Sequence, residues 1–413
     1  MTTDTVGATM TRRPTAQALS FAVFAVFFLN GFNFATWASR LPAVRDGLEF
    51  SQAQMGLLLL VIAVGSLVAI PLAGLVVERL GARRTVTVFA LLNAGGLIVA
   101  TSGVGIGSVP LTALGLLVFG AGTGVWDAAM NLEGAAVEQK LGRTVMPRYH
   151  AGFSFGTFAA AGIAAGAAAL DVPVWVHVPV AVAVTSVLVI VAVRWFLPSD
   201  EEHVLTVTPG DEPAATAPRG ARGALAAWTE PRTLLIGLIV MAAALTEGSA
   251  NDWVGLAVVD GWDTQDSLGA IAFGVFVGTM TTARWFGTRV LDRFGRVVVL
   301  RACSALAIVG LAIFALVGPL WLASIGIVLW GAGAALGFPV GMSAASDDPV
   351  RAAARVSVVS TIGYTAFLAG PPLLGLLAHH VGYRHALLAV LVPTVLGLLV
   401  TNAARPLRAA DGD

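Results

Sequence analysis

Apolar residues come along this chain in runs of about twenty, broken by short polar stretches, not in the alternation of strands or the one-sided stripe of soluble helices. Runs of that length match a bilayer core about 30 Å thick, where each backbone polar group must be satisfied inside its own helix. Twelve spans are predicted, near residues 17–38, 54–77, 85–103, 110–133, 150–170 and 174–196, then 233–256, 267–290, 297–317, 320–342, 356–378 and 384–403. The expected fold is an all-α membrane protein of twelve transmembrane helices in two pseudo-symmetric six-helix bundles. Residues 1–16 form a first tail, 17–196 one bundle, 197–232 a linker, 233–403 the second bundle and 404–413 a closing tail.

Composition agrees with that pattern. Of the 413 residues, 57% are hydrophobic and 12% charged, so most of the apolar surface must face lipid. The 24 basic and 24 acidic residues balance, which gives no sign of a nucleic-acid partner. Their placement is informative. If the first tail is cytoplasmic, only Arg40, Arg45 and Arg384 of the 24 basic residues lie outside and Arg284 lies within a span. The other 20 sit on or near the inner face, the asymmetry expected of a multi-pass protein of the cytoplasmic membrane with both termini inside. The apolar run after Arg12 and Arg13 has no small-residue cleavage site and reads as a retained first span. The linker, with Asp200, Glu201, Glu202, Asp211 and Glu212 among Pro209, Pro213 and Pro218, reads as a flexible connection. The single cysteine, Cys303, excludes an internal disulfide and a thiolate-rich metal site, and reads as a packing residue.

The polar signals repeat. Gly74, Glu78, Arg79, Gly81, Arg83 and Arg84 close span two, and Asp292, Arg293, Gly295 and Arg296 close span eight 214 residues later. Asn30, Asn33 and Trp37 in span one recur as Thr246, Ser249 and Trp253 in span seven at an offset of 216, on one helix face in each case. Arg148 and Arg355, which open spans five and eleven, lie 207 apart. Together these mark a duplicated six-helix unit.

The span-two motif, G-x-x-x-[D/E]-R-x-G-x-[R/K]-[R/K], resembles that of the major facilitator superfamily; in the second copy Thr288 stands at the leading glycine. Asn131-Leu-Glu-Gly-Ala-Ala-Val-Glu138, Glu247-Gly-Ser-Ala-Asn-Asp-Trp253 and Gly363-Tyr-Thr-Ala-Phe-Leu-Ala-Gly-Pro-Pro372 are similar to its fucose-permease-like, YbjJ-type branch. The resemblance implies that spans one, four, seven and ten surround a central cavity while two, five, eight and eleven form the contact between halves.

Several motifs have plainer explanations. Gly152-Phe-Ser154-Phe-Gly156 matches a nucleophile elbow but opens a membrane helix without His and Asp partners, so Gly152, Gly156, Gly162 and Gly166 read as packing residues. Gly120-Ala-Gly-Thr-Gly124 and Gly331-Ala-Gly333 lie inside apolar spans with no strand to launch a dinucleotide loop. His379 and His380 point about 100° apart on a helix and suit an exposed helix end better than a metal. No enzymatic activity, cofactor or metal is expected.

Ionisable residues inside spans are different, because a mid-bilayer charge costs about 2.5–3.5 kcal/mol on insertion scales and needs a partner or a cavity. Asp127, Glu247 and Arg284 are of this kind. With the superfamily's arrangement they give the expected sites. Asn30, Asn33, Trp37, Asn131, His150, Ser249, Asn251, Trp253 and Tyr364 are candidates to bind a small polar solute such as a sugar, through aromatic faces beside amides and hydroxyls. Asp127 and Glu247 are candidates for proton coupling, although span one lacks the acid that fucose permease carries there. If the helix bends near Gly248, Glu247 and Trp253 can face one cavity. Two ion pairs, Glu78 with Arg355 and Asp292 with Arg148, are expected to close the cytoplasmic side, enlarged by Arg79, Arg83, Arg284, Arg293 and Arg296.

The expected function is alternating-access transport of a small polar solute by a monomer in lipid. Protons are the expected driving ion, since no P-loop for ATP is present. Efflux antiport of drugs or metabolites on the same fold, and a receptor or assembly protein that moves nothing, are the alternatives.

Overall fold

The computed structural model describes residues 15–50, 52–197, 225–264 and 266–407. Arg12, Arg13, the acidic and proline-rich part of the linker and the last six residues lie outside the described residues. Among the described residues nine helices are long and apolar enough to cross a membrane, two of them double-length, and the shorter apolar stretch Tyr383–Leu399 completes twelve crossings.

Span one is Ala16–Ala38, capped by the Thr15 hydroxyl, which accepts the Ala18 amide at 3.3 Å. Spans two and three form one helical run, Gln52–Gly105, that turns at Gly81, where φ is 75° and ψ 159°. Spans eight and nine do the same in Asp266–Leu316 at Gly295, with φ 75° and ψ 163°. A side chain at this conformation is strained, which explains why the two repeat motifs share a glycine at that position. Spans four, five and seven are Val109–Leu141, Met146–Ala169 and Pro231–Trp262, each with proline in its first turn, where the missing amide costs no helical bond. Val174–Ala192 is span six and Ala352–Val381 span eleven. Span ten is broken into Leu320–Ala334 and Gly337–Ala345.

Glycines bring helices close within each half. A Cβ at Gly120 would lie 2.0 Å from the Ile62 carbonyl oxygen, and one at Gly333 would lie 2.3 Å from the Ala307 amide. Gly152 and Gly156 pack likewise on span one, but Gly162 and Gly166, nearer the end of span five, have no neighbour within 4 Å and are not packing residues here. Outward-facing side chains such as Val68, Leu72 and Leu188 are exposed and apolar, as a lipid-facing surface requires.

The halves meet near the face that carries the two glycine turns, called the basic face below. There a Cβ at Gly74 would stand 2.6 Å from the Ala353 carbonyl oxygen, and the Ser357 hydroxyl donates to the Ile70 carbonyl at 2.7 Å. Spans five and eight touch through Phe155 and Trp285, 5.8 Å between rings. Gly274 and Gly278 of span eight, like Gly162 and Gly166 of span five, have no neighbour within 4 Å of a Cβ.

Candidate functional site

A buried polar chain crosses the middle of the protein from one half to the other. It starts at Asp127 in span four, whose carbonyl accepts the Asn131 side-chain amide at 2.9 Å. Asn131 Oδ1 meets His150 Nε2 at 3.2 Å, and the Ser154 hydroxyl donates to the His150 carbonyl at 3.3 Å. Arg284 of span eight then donates from Nη1 to Ser154 Oγ at 3.3 Å, and from Nη2 to Glu247 Oε2 of span seven at 2.7 Å. Its Nε donates to the Ala335 carbonyl at 3.1 Å, an oxygen freed by the break in span ten. Arg284 thus ties spans seven, eight and ten together and reaches span five of the other half. His150 is held between the rings of Phe27 and Phe338, at 5.0 and 5.5 Å.

Charge in this chain is unevenly compensated. Arg284 and Glu247 neutralise one another in a pair whose arginine side chain is 4% exposed. Asp127 is also buried, with Tyr364 of span eleven as its side-chain hydrogen-bond neighbour, yet its Oδ2 has no partner among the described residues. Asp127, Asn131, His150, Glu247 and Tyr364 from the expected set therefore converge here, together with Ser154 and with Arg284, which lies at the centre and not at the basic face.

The remaining candidates for solute contact lie elsewhere. Asn33 donates to Asn93 Oδ1 at 2.9 Å and accepts the Thr185 hydroxyl at 2.6 Å, so its amide pins span one to spans three and six. Trp37 is buried in an apolar cluster with Val44, Leu97, Val174 and Val178. Ser249 bonds back to its own helix at Leu245, and Asn251 is exposed. Asn30 is buried, and its amide nitrogen has no partner among the described residues. Span seven runs as one helix through Gly248, so Glu247 turns to Arg284 while Trp253 stacks on Tyr383 at 5.3 Å. The expected sharing of one cavity by Glu247 and Trp253 is not what forms.

At the basic face the expected ion pairs are replaced by others. Glu78 is exposed without an ion-pair partner among the described residues, as the acids nearer Arg355 belong to its own half. Arg355 pairs with Glu230 at 2.6 Å and Asp348 at 3.3 Å. Although burial raises the Glu230 carboxyl, hydrogen bonds from Arg355, Thr233 and Arg351 outweigh it and hold the group below the usual glutamate range. Asp292 accepts the Thr144 amide at 3.1 Å, while the neighbouring Arg148 lies over the Trp285 ring at 5.8 Å. Arg79 and Arg83 are exposed, and Arg293 lies over Phe294.

The closure runs through a residue the sequence reading passed over. Glu138 accepts the Val145 and Met146 amides, both at 2.7 Å, and the Ser343 hydroxyl from span ten of the other half. Ser343 also accepts Arg296 Nη2 at 2.8 Å, and Arg296 pairs with Asp347 at 2.6 Å. Beside them Gln139 donates to the Ser346 carbonyl at 2.8 Å. Span four was expected to end near 133, which left Glu138 in a loop. Gly142, in the left-handed conformation after Leu141, is the helix-end signal that could have extended it.

Two six-helix halves, closed together at one face below a buried polar chain that both supply, define a multi-pass membrane transporter. The sequence model of the Major Facilitator Superfamily matches residues 23–364 and again 286–411, and the chain belongs to that family. An uncharacterized transporter of Sinorhizobium fredii, y4wD, is 32% identical over 90% of this chain and 97% of its own. The membrane protein MosC of Rhizobium meliloti is 30% identical over 91% of this chain and 87% of its own. In fold, the chain is similar to the fucose transporter FucP of the same superfamily in its outward conformation, with TM-score 0.74 and 14% identity over 93% of this chain and 98% of that one. The proton:xylose symporter XylE matches with TM-score 0.68 and 14% identity over 94% of each chain.

Proposed function

We propose that this transporter moves a neutral, hydroxyl-bearing small solute together with a proton, by rocking its halves about the central polar chain. The single observation that carries the reading is that chain, which runs from the backbone carbonyl of Asp127 in one half, beside its buried carboxyl, to the neutralised Arg284–Glu247 pair in the other. When ionised, Asp127 is the uncompensated charge of this chain, and its Oδ2 lacks a donor. A proton removes the charge, and a solute hydroxyl can supply a partner, so loading of both is favoured over loading of either alone. The two sugar:proton symporters of similar fold support the solute class. With the basic face taken as cytoplasmic, the described conformation is closed inward. Expected for a symporter awaiting external solute, it also fits a resident of the cytoplasmic membrane with both termini inside.

The uncompensated Asp127 favours a second reading, exchange of an organic cation for a proton. Proteoliposomes with an imposed pH gradient separate the two. Uphill uptake of L-fucose or D-xylose, abolished by Asp127→Asn while downhill counterflow persists, supports symport. Proton release evoked by a lipophilic cation and absent for sugars supports antiport. Uphill sugar uptake that survives Asp127→Asn refutes the assignment of Asp127.

A further inference from the structure

Toward the face opposite the basic one, span seven and the junction of spans eleven and twelve line an open cleft of about 540 Å³. The size falls in the range of about 300–1,000 Å³ usual for small-molecule sites. Trp253 and Tyr383, stacked at 5.3 Å with 30° between planes, form one aromatic wall. Gly375 faces the indole so closely that a Cβ there would lie 3.3 Å from it. Asp260, His379 and His385 are exposed groups lining the same space. Trp253 Nε1 is buried and has no acceptor among the described residues, so the indole offers the cavity its ring face and not its N–H.

The cavity is separate from the central polar chain. Asp260 lies thirteen residues beyond Glu247 on one continuous helix, roughly 20 Å along its axis. Arg384 also lines the cavity: its guanidinium lies 3.7 Å from the Trp262 ring centroid and Nη2 donates to the Val317 carbonyl, while Nε has no partner among the described residues. The space thus carries side chains of opposite charge, Arg384 and Asp260. A cation would meet Arg384 and an anion would meet Asp260. A neutral saturated ring suits both, with its apolar face on the indole and its hydroxyls on the carboxylate and imidazoles.

We propose that this cavity is an outer docking site for a neutral ring polyol, filled before the solute moves to the central chain; the onward path rests on the proposed carrier function, the docking does not. Saturation binding of radiolabelled L-fucose, D-xylose and D-glucose to the full chain in nanodiscs tests it. Two classes of site are expected for at least one sugar. Asp260→Asn and His379→Ala, both at exposed positions, should each weaken one class about tenfold, the loss expected of one strong hydrogen bond. Asp127→Asn should spare that class. A single class lost in the exposed variants and kept in Asp127→Asn supports docking and counts against the central reading. A single class indifferent to Asp260→Asn and His379→Ala but weakened by Asp127→Asn overturns the docking site and leaves the carrier reading standing. Absence of saturable binding for all three sugars overturns it as well.

Discussion

Replacing Ser343 by alanine should loosen the closure at the basic face while leaving span five anchored. The hydroxyl joins Glu138 of one half to span ten of the other, and it takes a second bond from Arg296 within its own half. Glu138 keeps the Val145 and Met146 amides after the change, so the loss falls on the contact between halves. A hydrogen bond to a charged group is worth about 1.5–3 kcal/mol. If that contact is absent once the face opens, the open-to-closed ratio rises by roughly 10- to 150-fold. Gln139, still bonded to the Ser346 carbonyl, keeps the shift toward the lower end. Nitroxides at Arg143→Cys and Val350→Cys, both exposed, on a Cys303→Ala background, report the separation of the halves by electron double resonance. A longer-distance population should grow in Ser343→Ala, and adding Glu138→Gln should add less than its separate effect because the two share one bond. A distance distribution unchanged by Ser343→Ala refutes the assignment.

Arg284→Ala leaves the half-buried Glu247 without a counter-charge and should cost about 3 kcal/mol, the low end for breaking a buried pair, read as a fall in thermal midpoint. Arg284→Met with Glu247→Met should recover most of that stability and no coupled uptake. Gly295→Ala places a side chain at φ 75° and ψ 163° and should cost about 1–3 kcal/mol, with the equivalent loss at Gly81→Ala, measured by denaturant midpoint in detergent. Glu230 has its carboxyl lowered in the folded protein, so its contribution is present above the usual glutamate range and lost as pH falls through the lowered value. Glu230→Gln should therefore flatten the acid limb of stability against pH and leave the neutral limb less stable than wild type.

The twelve spans, the duplicated unit and the turn glycines could be read from the sequence because lipid enforces length, and a φ of +75° enforces glycine. Asp127, Glu247 and Arg284 could be read as needing partners, since burying charge is costly. Which partners they find could not. The Arg284–Glu247 pair depends on how span eight is rotated against span seven, and Ser154 becomes its neighbour only once spans five and eight cross. Glu138 was missed because hydropathy reports where apolar residues stop and not where the helix stops.

The repeat itself sorts the polar residues in a way that conservation of type between halves would not suggest. The repeated polar positions bond within their own half: Asn33 bonds Thr185 of span six, its counterpart Ser249 bonds back to Leu245 of its own helix, and Thr246 meets Thr394 of span twelve at 3.2 Å. At the same offsets, Arg284 corresponds to Ile70 and Glu247 to Gly31, so the charges have no partner in the other copy. The two interfaces differ as well, since at the 207-residue offset Ser154 corresponds to Thr361 and Ser357 to His150. Ser154 of span five meets the Arg284 guanidinium, and Ser357 of span eleven meets the Ile70 carbonyl. A backbone carbonyl can only hold the halves together, whereas a guanidinium balanced against Glu247 can exchange one acceptor for another. In a duplicated fold the shared polar residues thus serve the architecture, and departures from the two-fold mark where chemistry was added.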